Sequence, residues 1–230
     1  MKKKQTIAII PARSGSKSII DKNLKILGKK PLLAWAIEAS IKSKLFSKVY
    51  VSTDSVKYSK IAQKFGNVQI LLRPKKISND LSSDYEMIQH AIDNIRDKYE
   101  FIAHIRPTTP TRKISDLVSA VKIFINSDYN SLRSVHEMSE SAYKSAEIKN
   151  NILKPLKNLN KNMDEINLPR QNFNKTFKPN GVIDIYRKKF ILKNKILFGN
   201  KVKPFITKFT PEIDNLEDLN YIENIWRKKK

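Results

Sequence analysis

Thr6-Ile7-Ala8-Ile9-Ile10-Pro11-Ala12-Arg13-Ser14-Gly15-Ser16-Lys17 changes character in its middle, and that change decides the fold. The apolar, β-branched run Thr6–Pro11 reads as a strand buried on both faces. A polar, cation-rich loop follows as far as Asn23. Pro31–Ser43 then has Pro31 in a first helical turn and Leu32, Leu33, Trp35, Ala36 and Ile37 along a helix. The same unit recurs. Strand Lys48–Ser52 precedes helix Ser55–Phe65, Val68–Leu72 precedes Ser83–Asp97, and Phe101–Ile105 precedes Ile114–Ile125. Repeated strand-then-helix units imply an α/β fold with a doubly wound, mostly parallel sheet. Right-handed crossovers then bring the loops after the strands to one sheet edge.

After Ser131 the rhythm changes. Leu132–His136, Tyr143–Ile148, Val182–Tyr186 and Val202–Phe209 read as strands, and Leu216–Trp226 as a last helix. A polar Asn/Lys-rich stretch runs from Lys149 to Asn167. This C-terminal half is expected to be an insertion that completes the same sheet and projects an arm toward a second subunit. Repeats and Gly-Ser or Pro-rich linkers are absent, so residues 1–230 are expected to form a single domain.

The composition, 40% hydrophobic and 29% charged, is that of a soluble globular chain. No apolar stretch approaches the roughly 20 residues that span a bilayer. The basic start Met1-Lys2-Lys3-Lys4 is followed by too short an apolar run for a signal peptide. With no Cys there is neither a disulfide framework nor thiolate chemistry, and the cytoplasm is the expected address. The formal charge of +23 leaves a nucleic-acid partner open. However, the lysines are spread along the chain without an arginine-rich tail or a basic-aromatic repeat, which argues against nucleic acid as the main partner.

The strand-end loops carry the candidate chemistry. Pro11 to Asn23 combines one Gly, several hydroxyls and three cations, Arg13, Lys17 and Lys22. Such a loop can cradle phosphate through backbone N–H groups and cationic side chains. Its Gly spacing fits neither a Walker A loop nor a dinucleotide fingerprint, and a solvated surface loop is the competing reading. Ser52-Thr53-Asp54 and Asn79-Asp80-Leu81-Ser82-Ser83-Asp84 each read as a polar site wall or as a helix cap. Two prolines stiffen Arg106-Pro107-Thr108-Thr109-Pro110-Thr111-Arg112. In Glu212-Ile213-Asp214 the carboxylates are two apart, so an extended chain puts them on one side, which suits Mg²⁺. The alternative is that Asp214 caps the next helix and Glu212 is solvated.

Taken together, these segments resemble the CMP-sugar-acid synthetases, namely the acylneuraminate, legionaminate and pseudaminate cytidylyltransferases, with CMP-Kdo synthetases as more distant relatives. The resemblance runs through Ile9–Lys17, Lys22-Asn23, Gly28, Pro31-Leu32, Val51–Asp54, Arg73-Pro74, Pro107–Arg112, Pro169-Arg170-Gln171, Pro179-Asn180-Gly181 and Glu212–Asp214. It implies a Rossmann-like nucleotidyltransferase in which the anomeric hydroxyl of a nonulosonic or related α-keto sugar acid attacks the α-phosphorus of CTP. It further implies a nucleotide site of Ala12, Arg13, Ser14, Gly15, Lys17, Lys22, Asn23, Arg73 and Ser83. The implied sugar site is Arg106, Thr108, Thr109, Arg170 and Gln171, and the implied Mg²⁺ ligands are Glu212 and Asp214. Arg13, Lys22 and Asp214 would carry the catalysis. The family's homodimer would place its arm in Tyr143–Phe177.

This chain departs from the family pattern at several points. Ser14 and Ser18 stand where Gly is usual, Arg106 where Gln is common, and Glu212 where a second Asp is usual. The serines must then avoid conformations that Gly alone adopts cheaply, and Arg106 would add a cation beside the sugar. Other nucleotide-sugar-forming transferases and glycosyltransferases remain rivals. The cation-rich first loop favours a triphosphate over a sugar diphosphate.

Overall fold

A computed structural model of the chain describes residues 6–156 and 162–227. The basic start, the middle of the polar stretch within the expected arm, and residues 228–230 lie outside the described residues.

The first half is built as expected. Strand β1 (Thr6–Pro11) leads, through the small hairpin β2 (Ile26–Leu27) and β3 (Lys30–Pro31), into helix α1 (Leu32–Lys42). β4 (Val49–Thr53) feeds α2 (Val56–Gln63), β5 (Gln69–Leu72) feeds α3 (Asp84–Asn94), and β6 (Phe101–His104) feeds α4 (Ile114–Ile125). β1 pairs in parallel with β4 on one side and β6 on the other, and β4 pairs in parallel with β5. The chain therefore switches direction of winding at β1, where an open α/β sheet forms its ligand crevice.

The second half adds β7 (Ser131–Glu137), the hairpin β8 (Ala146–Lys149) and β9 (Ile152–Pro155), and the short helix α5 (Met163–Ile166). It then adds β10 (Phe177–Arg187), α6 (Lys188–Asn194), β11 (Val202–Ile206) and α7 (Leu216–Arg227). The sheet order is β11-β7-β10-β6-β1-β4-β5. β10 alone of these strands runs antiparallel, to both β6 and β7. The insertion thus completes the sheet, with one correction. Tyr143–Ile148 is not a strand of it: Ala142–Lys144 is a 3-10 turn, and β8–β9 form a separate ribbon. Asn150 and Asn151 take positive φ at the ribbon's tip, as a tight hairpin turn requires. Ile148, Ile152 and Leu153 of the ribbon are exposed.

Strand alternation divides the core. Ala8 and Ile10 of β1 join one apolar cluster with Leu33 and Ile37 of α1, Tyr58 of α2 and Phe124 of α4. Ile7 and Ile9 join the other cluster with Met87, Ile88 and Ile92 of α3 and Ile191 of α6. A third, smaller cluster joins Ile19, Leu27 and Leu32 to Ile213, Leu219 and Ile222, so α7 packs beside the first loop. Among the described residues no helix is long and apolar enough to cross a membrane.

Candidate active site

Two cavities open where the strands of the sheet end. The smaller, about 410 Å³, is lined by Arg13, Ser16, Lys17, Ser18, Lys22, Asn23, Arg73, Asp80, Ser83, Arg106 and Thr108 among others. The larger, about 880 Å³, is lined by His136, Arg170, Lys178, Asn180, Phe209, Glu212 and Asp214 among others. They meet at one wall. Thr108 Oγ1, from the smaller cavity, donates to Glu212 Oε1 at 3.2 Å. Lys22 Nζ, also from the smaller cavity, donates to the Ile213 carbonyl at 3.1 Å and lies 3.8 Å from Asp214 Oδ1.

The first loop is held from behind by an acid. Asp54 accepts from the Ser14 N–H and from Ser14 Oγ, both at 2.8 Å, so its role is not to cap α2. That cap is Ser55, whose side chain accepts from the Tyr58 N–H. Ser14 therefore uses a hydroxyl that Gly lacks, and neither Ser14 nor Ser18 takes a positive φ. The left-handed residue of the loop is Asp21 (φ 53°), fixed by Tyr58 Oη at 2.9 Å and Lys57 at 3.1 Å. Asn23 Nδ2 closes the loop on the Arg13 carbonyl at 3.0 Å. Of the expected nucleotide residues, Arg13, Lys17, Lys22, Asn23, Arg73 and Ser83 are brought together on the smaller cavity, while Ala12, Ser14 and Gly15 do not line it.

The loop's cations are matched to a facing acid. Asp80 binds Arg13 at 2.7 Å and Lys17 at 2.9 Å, and these two cations hold its carboxyl below the usual range. Arg73 is 7% exposed, donates Nη2 to the Ser52 carbonyl, and has no partner for Nε. Ser83 caps α3 with a full capping box to Glu86, so the cap reading of that segment holds while Ser83 also lines the cavity.

Arg106 lies in the smaller cavity rather than in the larger one, and its charge is taken. It binds Asp184 at 2.6 Å and Asp84 at 2.7 Å. Burial works to lower its proton affinity, but Asp184 and Asp84 raise it above the ordinary guanidinium value. Asp184 is 1% exposed and has Arg133 on its other side at 3.8 Å. Arg106, expected as an added cation beside the sugar, neutralises a buried aspartate in the ligand-free protein. Thr109, expected in the sugar site, is fully buried and donates to the Asn180 carbonyl at 3.3 Å. Arg170 lines the larger cavity and binds Glu137 at 3.2 Å, whereas Gln171 lines a neighbouring cleft with Phe173 and Thr176.

The acidic pair behaves as its alternation predicts. Ile213 is fully buried in the α7 cluster and donates its N–H to the Thr108 carbonyl at 2.9 Å. The flanking Glu212 and Asp214 both line the larger cavity. Asp214 does not cap α7: Asn215 Oδ1 accepts from the Asp218 N–H, and Asp218 accepts in return from the N–H groups of Asp214 and Asn215. The Asp214 side chain is left 73% exposed. Glu212 is partly buried rather than solvated, and burial, with Asp214 nearby, raises its pKa. Gly181, at φ +60°, makes room for it, since a Cβ there would lie 2.3 Å from Glu212 Oε1. Hard carboxylate oxygens on the larger cavity, beside Thr108 and Lys22 of the smaller one, suit Mg²⁺, although the described residues contain no cluster of three or more potential metal-binding side chains. Remaining ligands would have to come from water and substrate.

Several residues of these walls escaped the sequence reading. Asp54 and Asp80 each lie in a segment that reads equally as a site wall or as a helix cap, so neither is singled out. A charged Asp184 in the apolar run Val182–Tyr186 was a signal. His136 and Lys178 gave none.

The chain matches the family model described as cytidylyltransferase over residues 7–224. It is 35% identical to the N-acylneuraminate cytidylyltransferase of Escherichia coli O18:K1:H7, over 97% of this chain and 52% of that protein. The chain thus spans about half the length of that relative. It is 32% identical to the CMP-N,N'-diacetyllegionaminic acid synthase of Legionella pneumophila, over 87% of this chain and 85% of that one. Among solved structures, CMP:2-keto-3-deoxy-manno-octonic acid synthetase complexed with CTP superposes with a TM-score of 0.71 at 16% identity. That alignment covers 98% of this chain and 100% of the other, and it shares the fold.

Proposed function

The chain belongs to the cytidylyltransferase family, and from that premise we propose that it transfers CMP from CTP to the anomeric hydroxyl of a sialic-acid-like α-keto sugar acid. The observation that carries this reading is the wall shared by the two cavities. A cation-lined cavity meets a larger one at Glu212 and Asp214, bridged by Thr108 and Lys22.

In this reading the triphosphate lies against Arg13, Lys17, Lys22 and Asn23, with Arg73 and Ser83 beside the nucleoside and the backbone of Ala12, Ser14 and Gly15 supporting the loop. The sugar acid occupies the larger cavity near Arg170, and Thr108 stands at the junction. The anomeric hydroxyl oxygen of the sugar acid bonds to the α-phosphorus of CTP and gives up its proton to solvent, as the bond from the α-phosphorus to the bridging oxygen breaks and pyrophosphate leaves with that electron pair. Arg13 and Lys22 stabilise the charge that develops on the phosphates, and the fixed walls hold the reacting atoms in line. Glu212 and Asp214 would hold Mg²⁺, which supplies charge neutralisation at the phosphate oxygens when bound. Residues 1–230 act as one cytidylyltransferase domain. The exposed apolar ribbon β8–β9, within Tyr143–Phe177, supports a homodimer. The cytoplasm, where CTP is made, is the site of action, and the product feeds glycan biosynthesis.

The test is pyrophosphate release from CTP and Mg²⁺ with N-acetylneuraminic, legionaminic, pseudaminic and Kdo acids. Release that depends on one of these acids, with a CMP-sugar formed, is the expected result. No CMP-sugar from any of them would sink the reading.

A further inference from the structure

The wall of the larger cavity carries polar groups that the protein itself leaves unsatisfied. His136 and Lys178 stand directly opposite each other in the antiparallel β7–β10 ladder. Side chains so paired leave the same face of the sheet with Cβ atoms roughly 5 Å apart, and both residues line the cavity. His136 is 8% exposed, and its Nδ1 is buried without a hydrogen-bond partner. Packing does not account for the imidazole. The ring meets Phe209 edge to face, with centroids 5.1 Å apart, and a phenyl ring would fill that place without an unpaired nitrogen.

Lys178 is the complementary half of the feature. It is exposed and has no ion-pair partner among the described residues. Neighbouring cations are already taken, since Arg170 and Lys175 both bind Glu137, at 3.2 and 3.0 Å. Burial and the Lys178 charge both lower the proton affinity of His136, which keeps its ring neutral beside the ammonium. The pair also lies near the chemistry. Gly181, which abuts Glu212 Oε1, is three residues along β10 from Lys178. A β-bulge interrupts the ladder between Pro179 and Asp184, and His136 and Lys178 line the same cavity as Glu212 and Asp214.

We propose that His136 and Lys178 are the acceptor-recognition pair of this cavity. The Lys178 ammonium holds the carboxylate of the sugar acid, and the neutral His136 imidazole hydrogen-bonds a hydroxyl or acylamino group next to it. This assignment rests on the cytidylyl-transfer reading above and adds the residues that select its acceptor.

Steady-state kinetics with CTP saturating and the sugar acid varied test it. Lys178→Met and His136→Phe should each raise the acceptor KM by about tenfold or more, the usual scale for losing a hydrogen bond to a charged group. The KM for CTP should stay within about twofold, and Lys178→Arg should recover most of the acceptor affinity. Should His136→Phe not fold, Lys178→Met at its exposed position carries the test alone. Wild-type turnover with an unmoved acceptor KM in the variants overturns the pair and leaves the proposed function standing. A wild-type protein that turns over no sugar acid overturns both.

Discussion

The two cavities that meet at Thr108 and Glu212 are furnished in opposite ways. In the smaller one Arg13 and Lys17 share Asp80 and Arg106 lies between Asp84 and Asp184, while Arg73 Nε is left unpaired. In the larger one Arg170 is matched to Glu137, but His136 Nδ1 has no partner and Lys178 makes no ion pair among the described residues. A matched cation is held in position before any ligand arrives, at the cost that an anion must first displace the acid. An unmatched group demands no displacement, but it burdens the empty protein. On the proposed function, the first wall would select its ligand by exchange and the second by filling.

The shared boundary offers the largest effect. Asp214→Asn should lower kcat about 100-fold or more, in the range seen when a group that stabilises transition-state charge is removed. Its midpoint of thermal unfolding should not move, because the side chain is 73% exposed. Full activity would reduce the acidic pair to a structural corner. On the matched side, Arg106→Gln strands Asp184 with only Arg133 at 3.8 Å. A loss of about 3 kcal/mol of stability is expected for a broken buried pair, measurable by denaturant titration, and an unmoved midpoint would mean that the network is not stabilising. His104, in the same network, extends the test to pH. Burial first and Arg106 second hold its pKa down at about 4, against 6.5 for a free imidazole. The unfolded chain therefore binds more protons between those values, and stability falls as pH is lowered from 6.5 to 4. The fall is up to about 3 kcal/mol, and His104→Gln should flatten it.

Two smaller effects sharpen the contrast. Gly181→Ala puts a Cβ 2.3 Å from Glu212 Oε1 at a positive φ, and about 1–3 kcal/mol of destabilisation should accompany reduced activity. Wild-type behaviour there would show that Glu212 has room to move. Asp80→Asn should have the mildest consequence, a CTP KM lowered by about threefold as half of an exposed ion-pair contact is removed. A raised KM would show that Asp80 positions the loop rather than competing for it.

How much of this was legible in the sequence follows the same divide. The smaller cavity is assembled from strand-end loops, and each loop is contiguous in sequence. Arg13, Lys17, Lys22, Asn23 and Arg73 could therefore be read in order as one wall. The extended Glu212-Ile213-Asp214 segment was readable for a similar local reason, a period of two around an apolar anchor. The larger cavity depends on which residues face each other across β7 and β10. His136 and Lys178 are far apart in sequence, and only register brings them together. The counter-ions were hidden for another reason. Asp54 and Asp80 precede helices and Asp84 opens one, places where a cap or a first-turn acid is equally well explained by the helix, and only distances separate the two roles. Tyr143–Ile148 reads as a sheet strand only in part: Ala146 and Ile148 alternate with a charged residue, a pattern that suits the isolated ribbon equally well, while Tyr143 and Lys144 belong to the turn before it.

The small cluster of Ile19, Ile213, Leu219 and Ile222 has a mechanical consequence. Ile19 belongs to the cation-rich loop and Ile213 sits between the two acids, so one apolar knot ties both halves of the phosphate grip to α7. On the proposed function, both halves of the grip are thereby anchored to one helix, and substitutions that loosen this packing should disturb the loop and the acidic pair together.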